Sequence, residues 1–477
     1  MKKMKGIIKK TVAAAMCAIV AVSFAGCGKK ASNSDTKTIT IWSGDGHSKL
    51  FMEEQVKNWN DTVGKEKGLR MEYIVKTGDV SQQIDLAMEN GTAPDLFTTG
   101  DSEKLAAQGK IVPLDDIEGL KPIMEKYADY MMPSRCQIDG KTYEIPLSAT
   151  TYGLVYNVDM FKAAGLVDKD GNATPPKTLS ELREYAKKLT NPDKKEYGII
   201  FPGKWSEWVG VDVAKMAVPS CGYISGYDPK DGTFNYDAQA ETAKTLVGIK
   251  KDGSFYPGVE GLDNDPARAR FAEGGIGMKT AGSYDYGVFT DQFPAKVNWA
   301  VAPFPVADEN NMYKQHMDIS GSLYINSKSL ETLGEDAIVE VYNFFYSDDM
   351  VKEEYKKGMA IPLNMDWVEG VEVDSSLKQG ECWTQFCKLT SVSKPSPMTV
   401  KTDVSGKESF GTKFKTEFWP NASSDAAIEK YAKEWSNIMN DGAKKYREMD
   451  PDYDPVALSV IVPDWDASRT EWDPDKQ

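Results

Sequence analysis

Histidine is nearly absent from this chain: among 477 residues only His47 and His316 occur. Two imidazoles starve zinc sites and any histidine-based catalytic triad. Basic charge is also short. Lysine and arginine number 57 against 72 acids, a net charge of −15 at pH 7, which makes a poor partner for nucleic acid or anionic lipid. There are six cysteines, and the pair in CWTQFC, Cys382 and Cys387, lacks the C-x-x-C spacing of redox and zinc sites. A disulfide between them is open outside the membrane, beside the simpler reading of isolated buried thiols. No repeat of twenty to fifty residues suggests a solenoid.

The nucleotide and metal motifs are incomplete. Gly44 and Gly46 begin a G-x-G, but Lys49 stands where a dinucleotide fingerprint needs its third glycine for close helix–strand packing. In GGIGMKTAG (274–282) Met278 breaks the order of a phosphate loop, so lysine and hydroxyl lose their register. DKDGN (168–172) has its glycine too early for a calcium loop, and Leu179 stands where the bidentate glutamate belongs, so a surface turn is expected. Acid pairs such as Asp115–Asp116 and Glu353–Glu354 are sequence neighbours, which says nothing about facing carboxylates. A glycoside hydrolase needs two carboxyls across a cleft, roughly 5–9 Å apart. With 72 acids present, composition leaves a secreted carbohydrate-active enzyme open.

What is present begins with a separate N-terminal unit. Lys2, Lys3, Lys5, Lys9 and Lys10 precede the apolar run TVAAAMCAIVAVSFAG, too short for a comfortable membrane span. Cys27 follows. The segment resembles a bacterial lipoprotein signal: residues 1–26 are removed and Cys27 is acylated, anchoring the protein on the extracytoplasmic face of the cell membrane. Phe24 replaces the leucine usual in such signals. Residues 27–36 then read as a polar tether. Cleavage takes away five lysines and no acid, lowering the net charge from −15 to −20.

The remainder is long enough for two or more lobes. Residues 38–42 alternate as a strand, and Lys49–Trp59 carries Leu50, Phe51, Val56 and Trp59 at helical spacing. LRMEYIVK reads as a second strand, VSQQIDLAMENG as a helix stopped by Gly91, and APDLFTTGD as a short buried strand with its loop. This rhythm predicts an α/β fold with a mostly parallel sheet. PPKTLSELREYAKKLT predicts a helix capped by Thr178 or Ser180, with Leu182, Tyr185, Ala186 and Leu189 on one side. YDAQAETAKTLVGIKKDG predicts another. AIVEVYNFFYSDDMVKEEYKKG and DAAIEKYAKEWSNIMNDGAKKYREM read as long amphipathic helices. No structureless linker follows residue 37, so the lobes are expected to share several chain crossings.

Aromatic surface is plentiful, with 11 Trp, 22 Tyr and 17 Phe. Sugars pair apolar C–H faces with hydroxyls, so a site for them combines flat aromatic platforms with polar acceptors. Six blocks, in order over 37–362, carry a resemblance to the extracellular solute-binding proteins of sugar ABC transporters, the family that includes maltose-binding protein. They are ITIWSGDG, APDLFTTGD, GKTYEIPLSATTYGLVYNVDMFKAAGL with PPKTLSEL, FAEGGIGMKTAGSYDY, GSLYINSKS and GMAIP.

The resemblance implies a two-lobed periplasmic-binding-protein-like fold with the ligand cleft between the lobes. The first lobe is expected to be 37–147 plus 316–360, the second 148–315 plus 361–477. It implies a monomer that binds a carbohydrate, closes at a hinge and meets ABC permease subunits, with no catalysis, cofactor, metal or nucleic acid. A non-sugar polar solute is the nearest alternative ligand. Asp45 matches a polar contact in the cleft lip, with Trp42 as core beneath it, and Asp101 matches a second hydroxyl-binding acid. Thr150 stands where maltose-binding protein has an acid, which sets maltose itself in doubt, and Thr151 beside it is taken as the candidate contact. Trp205 and Trp208 fall where an aromatic platform belongs. Tyr284 takes the place of the family's stacking tryptophan, Asp285 is an acceptor beside it, and Trp383 and Trp419 are further platforms or core.

Overall fold

The computed structural model describes residues 36–450, apart from 132, 206, 224–225, 229–231, 311, 314 and 396–400. The leader, Cys27 and the tether expected over 1–36 therefore lie outside the described residues, except for Thr36. So does 451–477 of the expected second lobe.

Two α/β lobes are built on separate sheets. In the first, the strand Lys37–Ser43 buries Ile39, Ile41 and Ser43 on one face, the period-two pattern of a half-buried strand. It runs parallel to Leu69–Val75 on one side, with Ile39 opposite Met71, and to Leu96–Phe97 on the other. Tyr324–Ile325 closes the sheet antiparallel to Leu96–Phe97.

The connecting helices follow the sequence pattern with a shift of phase. Lys49–Trp59 buries Met52, Val56 and Trp59, whereas Leu50 is 74% exposed. Met52, Val56 and Trp59 sit at i, i+4 and i+7 and form the stripe that faces the sheet. Val80–Asn90 is capped by Asp79 and ends on Gly91 at φ 69°, the left-handed position glycine takes without strain. The region read as one long helix is two, Glu335–Phe345 and Asp348–Lys356, because the Ser347 hydroxyl caps the Met350 N–H and starts the second.

The second sheet is mixed rather than parallel. Tyr152–Asn157 pairs antiparallel with both Ile276–Gly282 and Trp299–Ala302, and only Tyr197–Ile200 runs parallel to Ile276–Gly282. Every residue of Ile276–Gly282 is buried, as a strand covered on both faces requires. The glycine-rich 274–282 stretch is thus a turn and a core strand, not a phosphate loop. Helix Leu179–Lys188 has Thr178 as its cap, in a reciprocal capping box with Glu181. It lies so close to the sheet that a Cβ on Gly198 would sit 2.1 Å from the Ala186 carbonyl oxygen. The 25-residue helix Asp425–Met449 runs unbroken.

Between the sheets lies a three-stranded ribbon of Ser148–Thr150, Gln315–Ser320 and Thr390–Pro395. Ser148–Thr150 and Gln315–Ser320 pair antiparallel, with Thr150 opposite Asp318 and Ser148 opposite Ser320. The Ala149 N–H also donates to the Ile361 carbonyl at 2.8 Å. Ser148–Thr150, Gln315–Ser320 and Ile361 thus meet in one small hydrogen-bonded patch, and Ser148, Thr150 and Ser320 of it line the crevice. Cys136, Cys221, Cys382 and Cys387 are buried, and none of the four is in a disulfide.

Candidate functional site

The turn after the strand Lys37–Ser43 projects Asp45 into the crevice. Its backbone N–H donates to the Ser43 hydroxyl at 3.0 Å, and that hydroxyl donates to Asp45 Oδ2 at 2.8 Å. Thr98, at the end of the neighbouring strand, adds a longer contact to the same oxygen at 3.4 Å. Trp42 beneath this turn is partly buried, with the Lys76 ammonium 3.6 Å above its ring.

From the opposite lobe, the end of the strand Ile276–Gly282 delivers Tyr284. Gly282 is required there: a Cβ would lie 2.5 Å from the Tyr284 ring. Tyr284 meets Tyr152 edge-on with centroids 6.2 Å apart, and His47 from the first lobe at 6.1 Å. Behind it Asp285, 2% exposed, accepts from Arg268 Nε at 2.6 Å and from the Gly282 N–H at 3.1 Å. Asp285 thus positions the wall rather than lining it.

Lys215 holds its ammonium 4.0 Å over the Tyr152 ring and pairs with Asp318 of the three-stranded ribbon. Trp205, partly buried, lines the outer crevice together with Glu207. On the first lobe, Glu354 and Tyr73 complete the inner wall. Burial and then the negative charge of Asp45 push the Glu354 carboxyl up to about 8.

The expected contacts divide. Asp45, Trp205 and Tyr284 line the crevice, with Asp285 directly behind. Asp101 does not line it: it caps the helix Ser102–Ala107, accepting from the Lys104 N–H at 3.0 Å, and is exposed. Thr151 points away, with its hydroxyl donating to the Phe386 carbonyl at 2.9 Å in the core, while Thr150 faces the crevice. Adjacent strand residues point to opposite sides, so only one of the pair can serve.

Trp208, Trp383 and Trp419 are 1%, 0% and 2% exposed and belong to the core. Trp208 stacks on Phe201 at 4.6 Å, Trp419 packs edge-on against Phe255, and Trp383 packs against Tyr286. Cores need large rings, and tryptophan alone does not tell core from platform. Sequence reasoning missed His47, Tyr152, Lys215, Arg268 and Glu354. His47 and Tyr152 adjoin the blocks WSGDG and SATT and were within reach. Lys215, Arg268 and Glu354 come from three unrelated segments that meet only in the folded chain.

Among the described residues no group of three or more His, Cys, Asp or Glu side chains is placed to hold a metal ion. Asp168 accepts from the N–H groups of Asp170 and Asn172 at 2.9 Å each, an exposed turn that ties its own carboxylate to its own backbone.

A family model described as bacterial extracellular solute-binding protein matches residues 51–352. The galactooligosaccharide-binding protein of Bacillus subtilis (strain 168) is 24% identical over 407 residues, covering 82% of this chain and 88% of its own. Among solved structures, a chitin oligosaccharide binding protein aligns with a TM-score of 0.62 at 18% identity, covering 86% of this chain and 100% of that one. An ABC substrate-binding protein from Listeria monocytogenes in complex with cycloalternan aligns with a TM-score of 0.60 at 18% identity, covering 85% and 99%. At such identities the structural likeness is one of fold.

Proposed function

Because the chain belongs to the bacterial extracellular solute-binding protein family, we propose that it captures a sugar or oligosaccharide between its lobes and delivers it to the membrane permease of an ABC importer. The observation that carries this is the make-up of the crevice. Tyr284, Tyr152 and Trp205 offer ring faces, and Asp45, Glu207 and Thr150 offer hydrogen-bonding groups beside them. That is the combination a ring with apolar faces and equatorial hydroxyls requires.

The cations of the crevice are engaged internally: Lys215 with Asp318, Arg268 with Asp265 and Asp285. An anionic solute would meet Asp45 and Glu207 with no unpaired lysine or arginine among the described crevice residues to answer it, which favours a sugar over a phosphate- or carboxylate-bearing solute.

In this reading the lobes comprise 37–147 with 316–360, and 148–315 with 361–477, and they hinge on the ribbon where Ser148–Thr150, Gln315–Ser320 and Ile361 cross. Ligand drives closure only through contacts that the open form lacks. The protein acts as a monomer and performs no catalysis. It is held by acylated Cys27 on the extracytoplasmic face. Among the described residues no helix is long and apolar enough to cross a membrane, and the basic start, short apolar run and Cys27 support the lipid anchor.

The test is titration of purified protein with candidate oligosaccharides. Saturable change in tryptophan fluorescence, a smaller radius in solution scattering and sugar recovered intact support the reading. Turnover products, or indifference to every saccharide offered, overturn it.

A further inference from the structure

The crevice is divided. A chamber of about 220 Å³ lies at its hinge end, and a groove of about 1210 Å³, more than five times larger, lies toward its mouth. Asp45, His47, Tyr152 and Tyr284 line both. They come from the two lobes and form a neck, with the His47 and Tyr284 rings 6.1 Å apart across it.

The two volumes suit different loads. A cavity of about 150 Å³ holds a benzene ring, so the 220 Å³ chamber accommodates one six-membered ring with its substituents and little more. Its floor is the hinge ribbon. Ser148, Thr150 and Ser320 present hydroxyls there, linked to one another at 3.1 and 3.0 Å. A chain entering from the groove meets the hydroxyls of the paired strands Ser148–Thr150 and Gln315–Ser320 on the chamber's inner side.

The charges of the chamber sort ligands further. Asp45 and Glu354 line it, and no lysine or arginine among the described residues does; His47 at the neck is its one basic side chain. Among the described residues Glu354 has no ion-pair partner, and burial and then Asp45 push its carboxyl up to about 8, so at neutral pH it keeps its proton. A carboxylate or phosphate on the entering ring would face Asp45 at close range, with no lysine or arginine lining the chamber among the described residues to pair with it.

We propose that the protein holds an oligosaccharide end-on, with one uncharged terminal ring in the hinge-side chamber between Tyr284 and Glu354 and the following rings in the groove beside Trp205. This rests on the carbohydrate reading above and adds to it a ligand class: a chain with one free, neutral end.

Calorimetric titration of the wild-type protein tests it. Neutral oligosaccharides that bind are compared with the same sugars capped by a bulky fluorophore at the reducing end, capped at the non-reducing end, or oxidised to a carboxylic acid at either terminal ring. The expected result is asymmetry. Capping or oxidising one end weakens binding by about 30-fold or more, the loss that follows removal of a buried anchor, and capping the other end changes it by less than about threefold. Equal tolerance at both ends, or equal loss at both, overturns end-on seating while the carbohydrate reading stands. Failure of every neutral oligosaccharide to bind overturns both. Ala360→Phe, which fills the chamber, is expected to abolish the difference between capped and free sugars; the ligand comparison needs no variant and stands without it.

Discussion

Arg268 donates from Nε to Oδ1 of Asp285 at 2.6 Å, directly behind the Tyr284 ring, whose centroid lies 5.5 Å from the guanidinium. Asp285 also stands 3.9 Å from the Lys279 ammonium, itself buried. One carboxylate thus offsets two cations in the core of the second lobe and holds the edge of the crevice wall.

Asp285→Asn keeps the shape and removes the charge, leaving Arg268 and Lys279 underpaired. Loss of one partner from a buried ion pair costs about 3–5 kcal/mol. The urea midpoint of the unliganded variant is expected to fall accordingly, and affinity to fall with it because Tyr284 loses its backing. An unchanged midpoint would show that Asp285 carries no such burden.

Tyr284 and Trp383 are expected to separate binding from folding. Tyr284→Ala removes a ring face from the crevice and is expected to weaken sugar binding by about 1–3 kcal/mol with little effect on melting. Trp383 is 0% exposed, so Trp383→Ala empties a core position and costs about 3–5 kcal/mol of stability, while the folded fraction keeps its affinity. Parallel calorimetric and thermal measurements on the two variants check this; the reverse pattern would move Trp383 into the site.

The fold was largely legible because its signals are local. Ile39 and Ile41 alternate through a strand, Asp79 and Gly91 bracket a helix, and Thr178 with Glu181 spells a capping box. Where the reading slipped, the cause is equally specific. Leu50, Phe51 and Met52 are all apolar, so the period of the helix was visible and its phase was not. Ser347 followed by Asp348 and Asp349 is a helix start, overlooked within a longer amphipathic pattern.

The site was half legible. Asp45 and Tyr284 sit in blocks that carry the resemblance, and Trp205 lies outside those blocks at a place where the resemblance expects an aromatic ring; all three line the crevice. Trp208 was misplaced, and Trp383 and Trp419 were left between platform and core, because residue type does not report which side of a lobe a ring faces. Asp101 was misread although its context, an acid opening Ser102–Ala107, is a cap signature in its own right. Arg268, Lys215 and Glu354 are brought to the crevice by long-range packing that no local pattern encodes.

Glu354 gives a pH dependence with a definite sign. Its carboxyl is pushed from 4.5 up to about 8 in the folded protein. Between those values the native state keeps a proton that the unfolded chain has released, so this group lowers stability as pH rises, by up to about 1.4 kcal/mol per unit, and adds nothing further above the folded value. Glu354→Gln removes the effect. The variant and the wild type are expected to melt together at acidic pH, below the unfolded value, and the variant to melt higher at alkaline pH. Equal melting at both ends of the range would place Glu354 in contact with solvent or a cation.

Thr150 and Thr151 give the most economical test of the site geometry, because Thr150 ends the strand Ser148–Thr150 and Thr151 is the next residue, before Tyr152–Asn157. Thr150 donates to the Ser320 hydroxyl at 3.0 Å on the chamber floor, whereas Thr151 donates to the Phe386 carbonyl at 2.9 Å inside the second lobe. Valine matches threonine in volume and removes only the hydroxyl. Thr151→Val is expected to cost about 1–3 kcal/mol of stability, since it strands a buried partner, and to leave sugar affinity unchanged. Thr150→Val is expected to weaken affinity by about 0.5–1.5 kcal/mol, the net worth of a hydrogen bond, and to leave melting nearly unchanged. Both effects falling on Thr151→Val would shift the ribbon by one residue, turning every side chain of Ser148–Thr150 to the other face and closing the chamber that the end-on ligand needs.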